Sequence, residues 1–154
     1  TPLQLANYIA TLVGGGDRYA AHLLRSVKSY DNTVLEYLYD EGPVDTVEMS
    51  ESTLQAVKKG MGDLVTSGSV SSYFQSCIVS AGAKTGSAQT GGEVANGVFV
   101  CFAPFEEPEI AVAIVIEKGG SGSALASSAV SILNAWFGAG DVGSAVLSEN
   151  TLLP

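Results

Sequence analysis

GVFVCFA, from Gly97 to Ala103, and EIAVAIVIEK, from Glu109 to Lys118, are the two stretches that decide the fold of this chain. Each has the length of a strand and is apolar at consecutive positions. The residues between them, PFEEP, are few enough for a hairpin, so we predict antiparallel pairing. Strands with this pattern need cover on both faces. The two stretches therefore predict a small buried sheet with other elements packed on each side.

Two helices are predicted before this hairpin. The first begins with Thr1 as N-cap, Pro2 at the first helical position and Gln4 at N3, and it stops at the glycines of residues 14–16. Ser50 caps the second helix. The predicted core face of the second helix carries Leu54, Val57, Met61, Leu64 and Val65, and its other faces carry Lys58, Lys59 and Asp63.

A third helix follows the hairpin and is the predicted cover for one face of the sheet. Its apolar side consists of Leu125, Val130, Leu133, Trp136 and Phe137, and Gly138 and Gly140 end it. The run from Gly119 to Ser123 lacks the Gly-Lys-Ser/Thr ending of a phosphate-binding loop, so we interpret it as a turn that caps this helix. The predicted fold class is mixed α/β, with an antiparallel sheet packed between helices.

The segment from Arg18 to Asp45 has weaker signals. Short strands are predicted at Leu23-Leu24, Val27, Val34-Leu35 and Tyr37-Leu38-Tyr39, with a turn at Asp31-Asn32. The single histidine of the chain, His22, is expected at the surface or at a strand edge. The acidic residues of 106–109 are interpreted as the tip of the later hairpin.

The composition excludes several classes of function. The 154 residues are 46% hydrophobic and 15% charged, which is enough apolar material for a packed core. A formal charge of −9 repels a phosphate backbone, so no nucleic-acid partner is expected. No run reaches the roughly 18 apolar residues of a membrane span, and no signal peptide is visible. Cys77 and Cys101 are interpreted as small buried hydrophobes, and no metal site is expected.

Lys84-Thr85-Gly86-Ser87 is the candidate functional motif. It lies in an extended segment among small residues. Lys84 puts a cation on a sheet surface, and two hydroxyls bracket a glycine at which a ligand can approach the backbone. That arrangement suits the binding of a carboxylate while a backbone N–H points at a developing oxyanion. On these four residues alone, a solvated edge strand with an incidental lysine is the simpler interpretation.

Several blocks around the motif give it a specific context. TPLQLANYIATLVGGGDRY, LQAVKKGMGDLV, AGAKTGSAQ and NGVFVCFAPFEEPEIAVAIVIEKGG occur in the order found in class B penicillin-binding proteins, where K-T-G is the third catalytic motif. From Thr1 to about Phe137, the chain resembles the C-terminal portion of their DD-transpeptidase domain. The resemblance implies a partial β-lactamase/transpeptidase-like fold. One departure is Ala83, which stands between Gly82 and Lys84 where the family usually runs Gly directly into Lys.

The resemblance also implies a role for each residue of the motif. Lys84 matches the lysine that stabilises negative charge and hydrogen-bonds the serine of the second motif. Thr85 and Ser87 match the hydroxyls that hold the carboxylate of the substrate or β-lactam, and Ser87 also matches the position whose N–H is half of the oxyanion hole. Gly86 keeps the strand open to the ligand. Lys84 and Ser87 are thus the catalytic candidates, Thr85, Gly86 and Ser87 are the substrate-binding ones, and no cofactor is implied.

The nucleophile motif of the family is absent from this sequence. S-x-x-K needs a serine three residues before a lysine, on one helical face. The residues at that spacing here are Arg25, Gln55, Ala56, Ala81 and Val115. Tyr30-Asp31-Asn32 and Ser148-Glu149-Asn150 fit the S/Y-x-N pattern of the second motif, but they follow the TPLQLA helix instead of preceding it, so we interpret them as a turn and a tail. We therefore expect residues 1–154 to be the C-terminal part of the domain, inactive alone, with the N-terminal part as its partner.

The implied whole protein cross-links peptidoglycan stem peptides through a serine acyl-enzyme, is acylated by β-lactams, and acts at the extracytoplasmic face of the bacterial cell membrane. Without the upstream strands, the stretch from Glu109 to Lys118 leaves an apolar edge open to dimerisation. Two alternatives stay open: a related serine DD-carboxypeptidase or β-lactamase, and a non-catalytic β-lactam sensor or cell-wall binding module. An upstream Ser-x-x-Lys would favour an enzyme over a sensor.

Overall fold

The computed structural model describes residues 1–31, 33–39 and 42–138. In chain order the elements are α1 (Pro2–Val13), β1 (Asp17–Arg18), β2 (Ser26–Lys28), β3 (Leu35–Leu38), β4 (Asp45–Thr46), α2 (Glu51–Thr66), α3 (Ser71–Phe74), β5 (Gly82–Ala88), β6 (Asn96–Ala103), β7 (Ile110–Ile116), a 3-10 turn (Gly122–Leu125) and α4 (Ala126–Gly138). Strands β5, β6 and β7 form the sheet that positions the candidate site, and the other strands form two small pairs.

The predicted hairpin is confirmed as β6 and β7, which pair antiparallel from Gly97 opposite Ile116 to Ala103 opposite Ile110. β5 lies on the other side of β6 and is also antiparallel to it, with Lys84 opposite Val100. The order β5-β6-β7 makes β6 the central strand. This explains why β6 is the most buried of the three strands.

Both faces of the sheet are covered, as the apolar pattern predicts. Alternate side chains of β6 enter two separate cores. Phe99 and Cys101 pack on one face against Ala129 and Leu133 of α4. On the other face, Val100 and Phe102 pack against Ile9 of α1 and Met61 of α2, in the cluster that α1 and α2 close. The mixed α/β class with a sheet between helices is therefore confirmed.

The first helix begins as predicted. The Thr1 hydroxyl accepts a hydrogen bond from the backbone N–H of Gln4 at 3.3 Å, and the Gln4 side chain reaches back to the Thr1 backbone nitrogen at 2.7 Å. This reciprocal capping box satisfies N–H groups that a helix start leaves without partners. The apolar face of α1, including the buried Ile9, packs on the sheet.

The prediction that placed Lys58 on a polar face of α2 is wrong. Lys58 is only 8% exposed, and its ammonium lies 5.8 Å from the ring centre of Phe102 and 5.4 Å from that of Phe105. A lysine stem packs well on apolar surface, and aromatic faces attract the cation, so this position accepts lysine facing the core. Conversely, Val57, predicted in the core, is 40% exposed. Lys59 does lie outside, in an exposed ion pair with Asp63 at 2.7 Å.

The apolar side of α4 also differs from the prediction at one residue. The buried stripe consists of Ala126, Ala129, Val130 and Leu133, and Phe137 continues it at the same spacing. Trp136 lies one position off this stripe and is 58% exposed. The prediction of Trp136 in the core is therefore wrong. Gly140, predicted to help end this helix, and the tail with Ser148-Glu149-Asn150 lie outside the described residues.

Within residues 18–45, where the sequence signals are weaker, β2 and β3 form a small antiparallel pair. This agrees with the predicted strands near Val27 and Leu35. The Asp31 carboxylate accepts hydrogen bonds from Ser29 and Thr33, which lower its pKa and hold the turn between these strands. The predicted strand at Leu23-Leu24 is wrong, because the Leu23 side chain is fully exposed outside any strand. His22 is at the surface as expected, stacked on Tyr39 with ring centres 3.4 Å apart.

The cysteines behave as small apolar residues. Both are free, Cys101 being fully buried and Cys77 partly buried against the same core. Burial raises the pKa of the Cys101 thiol to about 12, so this thiol stays protonated at neutral pH. Among the described residues, no helix is long and apolar enough to cross a membrane, and no group of three or more metal-ligating side chains comes together.

Asn134 of α4 ties down the segment that leads into β5. Its amide oxygen accepts the N–H of Ile78 at 2.9 Å, and its amide nitrogen donates to the Ser76 carbonyl at 2.9 Å. We predict that Asn134→Ala lowers the free energy of unfolding by about 1–3 kcal/mol, because two backbone groups lose their partners. Urea unfolding should show this loss, while Ser128→Ala, on an exposed part of the same helix, should stay within about 0.5 kcal/mol of wild type. Equal stability of the two variants would contradict the assignment.

Candidate active site

The candidate motif Lys84–Ser87 lies in the middle of β5, an edge strand of the sheet. All residues from Gly82 to Ala88 pair consecutively with β6, so the departure at Ala83 does not interrupt the ladder. Ala83 is fully buried in the core beneath α4, and the next residue, Lys84, is exposed on the opposite face. Alternation along the strand therefore directs Lys84 toward α1 and α2.

β5 presents backbone groups at an open edge, since among the described residues it pairs only with β6. The Lys84 ammonium donates a hydrogen bond to the Thr85 carbonyl. This places the Thr85 carbonyl at the open edge. Backbone groups of successive residues alternate between the two edges of a strand, so the N–H of Ser87 shares the open edge with Thr85. A donor of this kind is free to bind an oxyanion without breaking the sheet.

A groove of about 310 Å³ runs between this strand and the first two helices. Its lining residues are Leu5, Tyr8, Ile9 and Leu12 of α1, Val57 and Met61 of α2, Val98 and Val100 of β6, and Lys84, Thr85 and Gly86 of β5. Lys84 is the one charged side chain among the described residues that line it. Apolar walls weaken the screening of that charge, so an anion bound here interacts with Lys84 more strongly than it would in open water.

The hydroxyl of Ser87 is directed to the other face of the strand. It donates to the Gly120 carbonyl at 3.2 Å. Gly120 belongs to the turn between β7 and α4, and its own N–H donates to the Ala95 carbonyl at 2.9 Å. In the same turn, the Ser121 hydroxyl accepts the N–H of Ser123 at 3.2 Å. This bond caps the 3-10 turn that leads into α4. To hold a substrate carboxylate, the Ser87 hydroxyl must exchange its Gly120 partner for the ligand.

One strand thus brings the motif residues together, but the sequence did not predict that residues of α1 and α2 line a groove beside them. Tyr8 and Val57 line the groove although neither has a catalytic signature. The only signal in the sequence is that both are apolar or aromatic positions on helices that face the sheet. A larger cavity of about 620 Å³ lies elsewhere, between α2, α3 and the exposed β6–β7 tip, and it includes Glu106 but none of the motif residues.

Comparison with known proteins identifies the family of this chain. Residues 1–136 match the family described as the penicillin binding protein transpeptidase domain. The chain therefore belongs to this family. Its relatives are class B penicillin-binding proteins: it is 30% identical over 131 residues to penicillin-binding protein 2A of Bacillus subtilis strain 168, covering 75% of this chain and 18% of that protein. It is 29% identical over 142 residues to the peptidoglycan D,D-transpeptidase MrdA of Escherichia coli strain K12, covering 81% and 22%.

Solved structures resemble the chain in the same way. Penicillin-binding protein 2B of Streptococcus pneumoniae strain R6 superposes with a TM-score of 0.75 at 25% identity, over 92% of this chain and 25% of that one. PBP2 of Pseudomonas aeruginosa, solved in complex with WCK 5153, gives 0.71 at 28% identity, over 88% and 29%. The transpeptidase-like fold is thereby confirmed. The chain spans about a fifth of the length of the curated relatives it matches.

Proposed function

We propose that this chain is the C-terminal part of a class B transpeptidase domain and supplies one wall of a serine active site. The proposal depends mainly on two features that β5 combines. Lys84 is the one charged side chain among the described residues that line the mostly apolar groove, and the Ser87 N–H lies at the open edge of the strand. A carboxylate and a developing oxyanion are the two charges that such a strand can stabilise.

In the proposed reaction, a serine from the upstream part of the domain attacks the carbonyl of the D-Ala-D-Ala bond of a stem peptide. The carbonyl oxygen gains negative charge, which the Ser87 N–H stabilises. The bond to the terminal D-Ala breaks, and that residue leaves as an amine that has taken up the serine proton. The amine of a second stem peptide then attacks the acyl-serine, the ester C–O bond breaks, and the serine oxygen regains a proton from the attacking amine. In this scheme Lys84 stabilises negative charge beside the nucleophile, and Thr85 and Ser87 hold the substrate carboxylate next to Gly86. A β-lactam enters the same route but stays on the serine.

The free edge of β7 indicates where the rest of the domain docks. Ile110–Ile116 is paired only with β6 among the described residues and stays mostly half-buried. A long apolar edge is seldom left without a partner strand. We propose that upstream strands of the same domain complete the sheet there, and that a second copy of the chain takes this edge when they are absent. The extracytoplasmic location is likewise proposed, in keeping with the peptidoglycan D,D-transpeptidase named among the relatives.

Labelling with a fluorescent penicillin tests the proposal. The complete protein that carries this chain is expected to show one covalent label per molecule that survives denaturing electrophoresis, since an acyl-serine is stable to unfolding. Residues 1–154 alone are expected to show none, because no serine stands three residues before a lysine. Pre-incubation with unlabelled penicillin should abolish the label on the complete protein.

Two results would contradict this proposal. Denaturation-resistant labelling of residues 1–154 alone would place the nucleophile inside the chain. An unlabelled complete protein, folded by circular dichroism, would instead favour a module that keeps the fold without acyl chemistry.

A further inference from the structure

Gly122, in the 3-10 turn after β7, is buried directly against the backbone of the candidate active-site strand. A Cβ atom at this position would lie 2.1 Å from the Val98 carbonyl oxygen, 2.5 Å from the Gly86 carbonyl oxygen and 2.9 Å from the Gly86 nitrogen. All three atoms belong to backbone, which cannot rotate away as a flexible side chain can. Glycine is therefore the only residue that fits here without moving β5 or β6.

The contact reaches the proposed oxyanion donor through one rigid group. The Gly86 carbonyl and the Ser87 N–H belong to the same planar peptide unit. A force on the Gly86 oxygen therefore reorients the Ser87 N–H, which lies on the opposite side of that unit. Oxyanion donors act only over a narrow range of distance and direction. A small rotation of the peptide between Gly86 and Ser87 should therefore lower the rate of acyl transfer.

The turn that carries Gly122 is itself fastened to the hairpin of β5 and β6. The N–H of Gly120 bonds to the Ala95 carbonyl at 2.9 Å, and the N–H of Lys118 bonds to the Asn96 side chain at 2.9 Å. Lys118 has a φ of 54°, a left-handed conformation that non-glycine residues adopt only when their surroundings impose it. The turn is thus a fixed support, and its position is transmitted to β5.

We propose that Gly122 is a positioning residue that sets the orientation of the Ser87 N–H for acyl transfer. This inference rests on the proposed function, because it assigns a support to the donor that the proposed reaction uses. Gly122 touches neither substrate nor nucleophile in this scheme. Its effect on the reaction is therefore expected in the rate of acylation and much less in ligand binding.

The test is the kinetics of acylation by a fluorescent penicillin in the complete protein, comparing wild type, Gly122→Ala and Gly60→Ala. Gly60 lies on the exposed side of α2, and a methyl group added there would meet no atom within 4 Å, so its variant is a matched control and should behave as wild type. We expect Gly122→Ala to lower the limiting acylation rate by about 10- to 100-fold, somewhat less than the loss of a whole oxyanion donor. The dissociation constant of the initial complex should change by less than about threefold.

The following outcomes support or overturn the inference. A limiting rate within twofold of wild type in folded Gly122→Ala overturns the inference, and so does a loss confined to the dissociation constant. If Gly122→Ala does not fold, Ser121→Ala decides instead, since it removes the acceptor of the Ser123 N–H and loosens the turn without adding an atom. A two- to tenfold lower rate then supports the inference, and an unchanged rate overturns it. Absence of label on wild type would overturn the proposed function instead.

Discussion

Replacing Lys84 with alanine in the complete protein is expected to lower the rate of acylation by a fluorescent penicillin by about 10²- to 10⁴-fold. Lys84 is the one charged residue among the described residues that line the groove beside β5, and the groove walls are otherwise mostly apolar. No neighbouring side chain of the lining set replaces its charge. In the proposed reaction, loss of this cation leaves the negative charge beside the nucleophile without the group that stabilises it.

Two further variants test whether the charge of Lys84, at this position, is what matters for acylation. Lys84→Arg keeps the charge but spreads it over a larger planar group, so we expect an intermediate rate. Lys59→Ala removes a lysine whose partner is the exposed Asp63, outside the groove, and should leave acylation unchanged. A Lys84→Ala protein that is acylated within threefold of wild type would show that the groove is not the reaction site.

Replacing Phe102 with alanine is expected to lower the free energy of unfolding by about 3–5 kcal/mol. Its side chain is fully buried in the core between the sheet and the first two helices. Its ring lies directly on the backbone of Gly82, where an added Cβ would come within 2.5 Å of it, and it stacks on Phe105 with centres 5.8 Å apart. The cavity left by alanine therefore opens beneath the start of β5.

Urea unfolding of the complete protein, followed by circular dichroism, measures this effect. Tyr30→Ala removes an aromatic ring of similar size that is fully exposed, and it should change the stability by less than about 0.5 kcal/mol. A loss below 1 kcal/mol for Phe102→Ala would mean that this core is not what holds the sheet to α1 and α2.

The parts of the fold that the sequence predicts correctly depend on local signals. The capping box at Thr1 and Gln4 and the apolar runs of the β6–β7 hairpin each act over a few neighbouring residues. These signals can be recognised within each segment, without knowing which other segments pack on it. The strand character of the Lys84–Ser87 segment is predicted on the same basis.

The errors arise where distant segments decide the outcome. The helical pattern places Lys58 off the apolar face of α2, yet its ammonium lies beside the rings of Phe102 in β6 and Phe105 in the loop after β6. Trp136 is predicted in the core because it is apolar, yet the stripe of α4 that meets the sheet passes beside it. Residue type alone cannot report which face of a helix a remote strand will contact.

The sequence by itself determined the three long helices, the β6–β7 hairpin and the motif, and through its ordered blocks it determined the family. Only the tertiary structure decided that Lys84 shares a groove with Tyr8 and Val57, and that Gly122 lies against the peptide of Gly86 and Ser87. The reason is that capping, periodicity and motif spacing are properties of adjacent residues. The groove and the support beneath the strand are made by segments about 25 to 80 residues apart in the chain, which meet only when the sheet is buried between its helices.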